Sequence, residues 1–525
     1  MARINTNVSS IVAQANLQRS ANELNLRLQR LSTGLRINRG KDDPAGLIIS
    51  ERITTDLAGV EQGIKNGDRA ASVIATTEAA LAEVSDLLNT IKALMVEAAN
   101  TGANSAAERD ANQLQIDSAI QSITRISNTA SFGGLKLLNG NLDYVTSGIS
   151  SSAITKAQIF SASFINNQAV EVEVDVVASA QTAGLFLNGA WGSNAPYGNG
   201  AIQSTTTIRI EGSRGVQELT FTSGTSYADI VTAVNNLTAL TGVRAELLTN
   251  GAGSGMVFRS EKYGSNEFVS VERVGGPADE DDDGWQLYKI ASNAAWPDDS
   301  SGFNWSSRIA SGNLVAATRD TGQDVRALIN GTLATGRGLN VSVNGTSLSL
   351  ELDLHEDLAT LPNASSTIFH ITEGGSLFQL GPDISALQQV SIGVGSVAAE
   401  KLGATLTNGT VHFLSSLMKG QPNSIEESIR RGDFTTASDI LDNAIEEVAK
   451  LRGRLGAFER NVLETNSRSL QAAFENLTAS QSRIRDADFA FETSKLTRAQ
   501  ILQQSGTAIL GIANQQSQSV LQLLG

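Results

Sequence analysis

His355-Glu356 opens an H-E-x-x-H pattern, in which a helix holds a catalytic zinc between two imidazoles one turn apart and the glutamate serves as general base. Ala359 stands where the second histidine belongs, and the chain has only three histidines, His355, His370 and His412. The ligand set cannot be completed, so His355 is expected at a polar strand end or in a loop. Asp279-Glu280-Asp281-Asp282-Asp283-Gly284 begins like a calcium loop, but Ile290 occupies the place of the bidentate closing glutamate, and a solvated acidic turn is the expectation. No G-x-S-x-G, Walker or G-x-G-x-x-G segment occurs, which removes the common nucleophile elbows and phosphate cradles. Arg27, Arg30, Arg36, Arg39 and Lys41 form the main basic cluster. No aromatic side chain lies near them to stack a base, and Asp42 and Asp43 follow at once, so pairing with acids inside the core or between subunits is expected. The residues offer no catalytic group, no metal site and no cofactor site.

The elements around these residues suggest interfaces instead. The last stretch, Ala499–Gly525, carries no charge, yet Leu502, Ile509, Ile512, Val520 and Leu523 recur on or near one helical stripe. Gln503, Gln504, Gln515, Gln516 and Gln518 supply polarity without charge, so such a helix can be buried among other chains. Its longest apolar run, Ala508–Ala513, is far short of the roughly 20 residues that a bilayer requires. At the other end Ile4, Val8, Ile11 and Ala15, then Leu24, Leu28, Leu31 and Leu35, step by threes and fours, giving a long helix that runs to the turn-prone residues around Asn38–Asp43. Asp43 followed by Pro44 reads as an N-cap with proline at the first helical position. A near-heptad repeat follows through Ile53, Leu57, Val60, Ile64, Ala71, Ile74, Leu81, Val84, Leu88, Ile91, Met95 and Ala98, predicting a rod of about 70 Å.

Ser105 and Glu108 make a capping-box pattern for a shorter helix with Ile116, Ile120 and Ile123, which stops before Phe132-Gly133-Gly134. Past Gly140 the texture turns to Ser/Thr/Gly-rich segments of period two, such as Val170–Val177. Between Thr207 and Leu247 the pattern predicts strands at Thr207–Glu211 and Glu218–Thr222, a helix at Tyr227–Asn236 and a strand at Val243–Leu247. Asn344-Gly345 between alternating Val and Leu residues predicts a hairpin with a type I′ turn. Helix is expected again after about Val397, with a second capping box at Ser424 and Glu427. The rod pattern then returns in Leu441, Ala444, Val448, Leu451, Leu455, Phe458 and Val462.

The whole has 525 residues, a formal charge of −15, a pI near 4.8, seven prolines and no cysteine. The length allows several domains, and the negative charge opposes general binding to nucleic acid or anionic membrane. A chain without thiols meets no redox hazard in moving from cytoplasm to exterior. Met1–Ser20 lacks an apolar h-region and an A-x-A cleavage pattern, which by itself would place the protein in the cytoplasm.

Several motifs at the ends resemble the bacterial flagellins, the self-assembling subunits of the flagellar filament. They are Arg3-Ile4-Asn5-Thr6-Asn7, the run Leu28–Asn38, Asp42-Asp43-Pro44-Ala45-Gly46, Arg483–Phe489, Gln500–Gly506 and Ala513-Asn514-Gln515. The stretch Thr207–Leu247 is similar to the small ββαβ module inserted in flagellins and hook-associated proteins. The resemblance implies an α+β fold: a long coiled-coil-like rod of paired N- and C-terminal segments, with mostly β outer domains inserted in the middle. It divides the chain into an inner-core helix at 1–43, rod segments at 44–145 and 399–483, a surface-exposed β region at 146–398 and a C-terminal inner-core helix at 484–525.

The resemblance makes Ile4, Val8, Ile11, Leu24, Leu28, Leu31, Leu35, Leu502, Ile509, Ile512, Val520 and Leu523 the subunit-interface residues. Its implied partners are further copies in a helical homopolymer, hook-associated junction and cap proteins, an export chaperone and the flagellar type III export apparatus. Extracellular location without a cleaved signal peptide follows, reversing the cytoplasmic reading. Ends that cannot bury their stripes alone are expected to order on assembly. Asn89–Val96 matches the family's Toll-like receptor site, but Thr90 and Ala93 stand where receptor-binding members carry arginine and glutamate, so the resemblance does not extend to receptor recognition.

Overall fold

The computed structural model describes residues 6–164, 168–187, 201–202, 205–248, 255–275, 286–291, 311–345, 347–360, 366–407 and 410–522. The chain forms two compact units, one of Met1–Ser72, Phe378–Gln389 and Ala457–Gly525, the other of Val73–Leu377 and Val390–Gly456.

In the first unit the N-terminal helix Val8–Thr33 starts at Asn7, whose Oδ1 accepts the Ser10 N–H at 3.0 Å. It stops earlier than its apolar periodicity suggests. Gly34 takes the left-handed conformation, φ 71°, and closes the helix before the polar turn. The Asp42 carboxylate holds that turn by accepting the Asn38 and Arg39 N–H groups at 3.1 and 2.9 Å. Asp43 then caps the next helix, accepting Gly46 N–H at 2.9 Å, with Pro44 as its first residue.

That helix, Pro44–Ala99, has 56 residues and so a length of about 84 Å, longer than expected. Within the first unit its buried positions are Gly46, Ser50, Val60, Gly63, Gly67 and Ala70, whereas Ile53, Leu57 and Ile64 are only half-buried. At Gly63 a neighbour comes too close for a side chain: a Cβ there would lie 3.1 Å from both the Leu380 carbonyl oxygen and Leu470 Cδ1. Beyond Ala457 a π turn at Glu459–Leu463 precedes the helix Glu464–Arg485. Its extra residue shifts the stripe, so Leu463 and Leu470 are buried and Val462 is half-buried.

The second unit combines helices with two β modules. Ile74, Thr77, Leu81, Val84, Leu88, Ile91, Met95 and Ala98 form a buried stripe, as do Ile116, Ala119, Ile120 and Ile123 of Ala106–Thr129, and Ile440, Leu441, Ala444, Val448 and Leu455 of Thr435–Phe458. Both halves of the Ser105/Glu108 capping box are made. The expected box at Ser424 is not: Ser424 makes no side-chain cap bond, and the Glu427 carboxylate binds Arg430 instead. Helix returns only at Ile425–Arg431, because the β-branched Thr405, Thr407, Thr410 and Val411 pair as a hairpin, followed by a 3-10 turn at Leu414–Leu417.

The first β module is a sandwich. One sheet joins Thr332–Leu333, Arg326–Ile329, Val170–Ala178, Thr367–Gly374 and Tyr144–Ser147 in that order; the other joins Thr335–Arg337, Asn340–Asn344, Leu348–Leu354 and Ile154–Ala162. Val172, Val174, Ile329, Phe369 and Ile371 of one sheet meet Ile159, Val341, Leu350 and Leu352 of the other in a single core.

The second module is spliced between two neighbouring strands of the first. It contains Thr206–Gly212, Gly215–Phe221, the helix Tyr227–Asn235 and Val243–Leu248, and it buries Ile208, Ile210, Ile230, Val234, Met256, Phe258, Val269 and Val271. The chain crosses into it and back at Gln181 and Gln323, which exchange backbone hydrogen bonds of 2.9 Å in each direction.

Asn340–Asn344 and Leu348–Leu354 do form a hairpin. Asn344, however, pairs with Ser349 inside the ladder, and neither Asn344 nor Gly345 has positive φ. Among the described residues, the two-residue hairpin loops with both φ positive are Gly133-Gly134, at 58° and 89°, and Asn330-Gly331, at 47° and 74°. Asn330 is further fixed because its Oδ1 accepts Glu173 N–H at 2.7 Å and its Nδ2 donates to the Glu171 carbonyl at 2.9 Å.

Candidate assembly surface

The two chain ends pair in the first unit. The C-terminal helix Phe489–Gln522 lies along Val8–Thr33. On the C-terminal helix the inward positions step from Glu492 to Ala499, Gly506 and Ala513 at a spacing of seven, with Leu510 half-buried between them. Facing them are buried Ala13 and half-buried Leu17, Leu24 and Leu31. Small residues let the helices approach closely, and a Cβ on Gly506 would already be 3.3 Å from Leu17 Cδ1. At the far end Asn7 Nδ2 donates to the Ala513 carbonyl at 2.9 Å, and Ser10 Oγ donates to Asn514 Oδ1 at 2.8 Å.

Glu492 is 2% exposed and sets the register of the pair. Its carboxylate accepts Arg27 Nη1 at 2.9 and 3.2 Å and Arg30 Nη1 at 3.0 Å. Burial pushes this carboxyl upward, but the hydrogen bonds and charges of Arg27 and Arg30 outweigh it and hold it below the usual glutamate range. Below the ion cluster the connecting loop adds backbone bonds, Arg36 N–H to the Arg485 carbonyl at 2.7 Å and Ala487 N–H to the Gly34 carbonyl at 2.9 Å. The basic cluster therefore divides. Arg27 and Arg30 pair inside the fold, Arg36 donates to the Ile484 carbonyl, and Arg39 and Lys41 make no ion pair among the described residues.

The apolar residues read as an interface divide in the same way. Leu24, Leu31 and Leu35 are half-buried in the single chain. Val8, Ile11 and Leu28 are 53%, 55% and 47% exposed, and Leu502, Ile509 and Ile512 are 42%, 56% and 64% exposed. Ile4 and Leu523 lie outside the described residues, and Val520 falls in the last turns of the helix. The sequence reading missed the inner seam because it followed large apolar side chains. The seam's signal is the heptad of small residues Ala499, Gly506 and Ala513.

Elsewhere, His355 ends a strand and caps the short helix Glu356–Ala359, its Nδ1 accepting Asp357 N–H at 3.3 Å. Asp279–Gly284 lies outside the described residues. Thr90 and Ala93 are exposed on the long helix. No helix among the described residues is long and apolar enough to cross a membrane.

Two chain ends joined through small residues, with their larger aliphatic side chains turned to solvent, define a subunit completed by other protein molecules. Family models match at both ends: the bacterial flagellin N-terminal helical region over residues 4–143 and the C-terminal helical region over 438–524, with the flagellin hook IN motif at 207–262. The chain is 31% identical to the B-type flagellin of Pseudomonas aeruginosa and 27% identical to the flagellin of Salmonella typhimurium, each alignment covering 99% of both chains. The structure of FliC from Burkholderia pseudomallei matches at 13% identity, covering 75% of this chain and 99% of that one, with a TM-score of only 0.19. The chain belongs to the bacterial flagellins. It is a structural subunit that polymerises into the flagellar filament of motile bacteria, and it is not an enzyme.

Proposed function

We propose that the exposed aliphatic faces of the two terminal helices are the surface by which copies pack in the filament, with Val8, Ile11, Leu28, Leu502, Ile509 and Ile512 at its centre and Ile4, Val520 and Leu523 extending it. The observation that carries this reading is the exposure of Val8, Ile11, Leu28, Leu502, Ile509 and Ile512 beside a charge-free tail. Burying a full aliphatic side chain is worth about 1.5–3 kcal/mol, so covering such a face contributes on the order of 10 kcal/mol per subunit. The pair's own seam is thin and built on alanine and glycine, which leaves neighbouring copies to complete the ordering of both ends.

In this reading residues 1–43 and 484–525 form the inner core, 44–145 and 399–483 the surrounding rod, and 146–398 the outer region. The two faces use different residues on each partner, a heterologous contact that generates an open helix. The chain is extracellular and leaves the cell unfolded through the flagellar type III apparatus with the help of an export chaperone. Its filament is joined at one end by hook-associated junction proteins and closed at the other by a cap. The absence of cysteine supports this route.

Removal of Ala499–Gly525 tests the reading. The truncated chain should form no filaments on seeding, as seen by electron microscopy, while its β modules keep their thermal transition. Normal filaments from the truncated chain would overturn it.

A further inference from the structure

Residues 378–389 form a tongue whose two sides differ in chemistry. One side is anchored on the long helices of the first unit. Leu380 is 3% exposed and its carbonyl accepts Asn466 Nδ2 at 2.9 Å, while the Gln379 carbonyl accepts Asn66 Nδ2 at 3.1 Å. Pro382 Cβ lies 3.0 Å from where a Cβ on Gly59 would be, so the glycine is what lets the tongue sit down on the helix. The tip is braced from within. Gln388 Oε1 accepts Asp383 N–H at 2.7 Å, its Nε2 donates to Asp383 Oδ2 at 3.1 Å, and Gln379 Nε2 donates to the Gly381 and Asp383 carbonyls at 2.9 and 2.8 Å.

On the other side of this braced tip Ile384 and Leu387 are 93% and 97% exposed, the highest values among the exposed large hydrophobic residues described. Two aliphatic side chains held rigidly in water contribute nothing to the fold of one subunit.

We propose that the tongue tip docks on a second copy of this chain, at the patch formed by Ile48, Ile49, Arg39 and Lys41. The inference rests on the filament reading, since it takes another flagellin subunit as the partner. In an open helical polymer a patch on one copy meets a different patch on the next, so the apolar tip with its Asp383 requires an exposed apolar site beside positive charge. The first unit presents one. Ile48 and Ile49 are 71% and 51% exposed, and Arg39 and Lys41 are exposed with no ion pair among the described residues. The contact cannot close within one copy, because the tongue is fixed at Gly59 and about 16 Å of helix separates Gly59 from Ile48.

The absence of cysteine supplies a clean probe. Ile384→Cys and Leu387→Cys each place a single thiol at an exposed position and leave the subunit's thermal unfolding unchanged. Maleimide labelling of these thiols should be fast in the monomer and at least tenfold slower in filaments, whereas Val216→Cys on the outer β module should label at similar rates in both. The double variant Ile48→Cys with Ile384→Cys should form a ladder of disulfide-linked oligomers only when filaments are oxidised. Filaments in which Ile384→Cys and Leu387→Cys label as fast as in the monomer would overturn the proposal, as would tip protection appearing only on addition of a different flagellar protein. Failure of the wild-type chain to polymerise at all would overturn the filament reading and the docking with it.

Discussion

At the scale of single residues, one carboxylate governs how the chain ends respond to acid. Glu492 has its proton affinity lowered in the fold by Arg27 and Arg30, so the unfolded chain binds more protons there than the folded one. Its stabilising effect is present above the usual glutamate range and is lost as pH falls through that range toward the lower folded value. Asp353 and Glu447 behave oppositely. Burial raises both carboxyls despite the Asn340 amide at Asp353 and the Lys156 ammonium at Glu447, so acidification stabilises their surroundings as pH falls through the raised values. Hydrogen exchange between pH 7 and pH 3.5 should therefore show protection lost first in Val8–Thr33 and Phe489–Gln522 while the sandwich strands stay protected. Glu492→Gln should remove about 3 kcal/mol of the helix pairing at pH 7, reducing protection by about two orders of magnitude, with the difference shrinking as pH falls below the usual glutamate range. Equal loss in both regions, or a difference that persists in acid, would contradict this assignment. Arg27, Arg30 and Glu492 are all plain in the sequence, but their meeting was not readable, because nothing local ties positions so far apart in the chain.

At the scale of elements, what was legible follows side-chain size. The strand-helix-strand order of Thr206–Leu248 and the apolar stripe from Ile74 to Ala98 could be read because branched and aromatic residues recur there at a regular period. Seams built on Gly63, Gly506 and Ala513 could not, since small residues carry no hydropathy signal and matter only for how close a neighbour comes. The π turn at Glu459–Leu463 was equally hidden, and a single residue there moves burial from Val462 to Leu463. The turns show the same limit. Asn344-Gly345 and Asn330-Gly331 are identical dipeptides, and only the second sits where two strands close on a two-residue loop. The close helix contact gives a direct test. Gly506→Val forces methyl groups against Leu17 at a cost of about 1–3 kcal/mol, and sedimentation should show the concentration needed for filaments rising at least tenfold. An unchanged threshold would mean that close approach at Gly506 does not hold the two helices together.

At the scale of the molecule, the chain is a set of insertions inside insertions: helical ends, a sandwich between them, and a second β module spliced into the sandwich. The sequence showed helix, sheet, helix, which is the outer level of this order. The inner level was hidden because both modules share the same period-two texture, and only the bridge between Gln181 and Gln323 marks the boundary. Replacing residues 183–321 by an Asn-Gly turn should leave the sandwich folded and the filament intact but thinner by electron microscopy, since the outgoing strand already lies beside the incoming one. Loss of the sandwich's thermal transition would show that the two modules share a core.

In the proposed filament, where the second β module lies outermost, that paired crossing also decides how the module passes on a load. Liquid drag on a turning filament pulls along two strands at once, each continuous with the ladder between Val170–Ala178 and Arg326–Ile329. The tension is carried by peptide bonds in parallel, and the hydrogen bonds joining the strands are spared from shear.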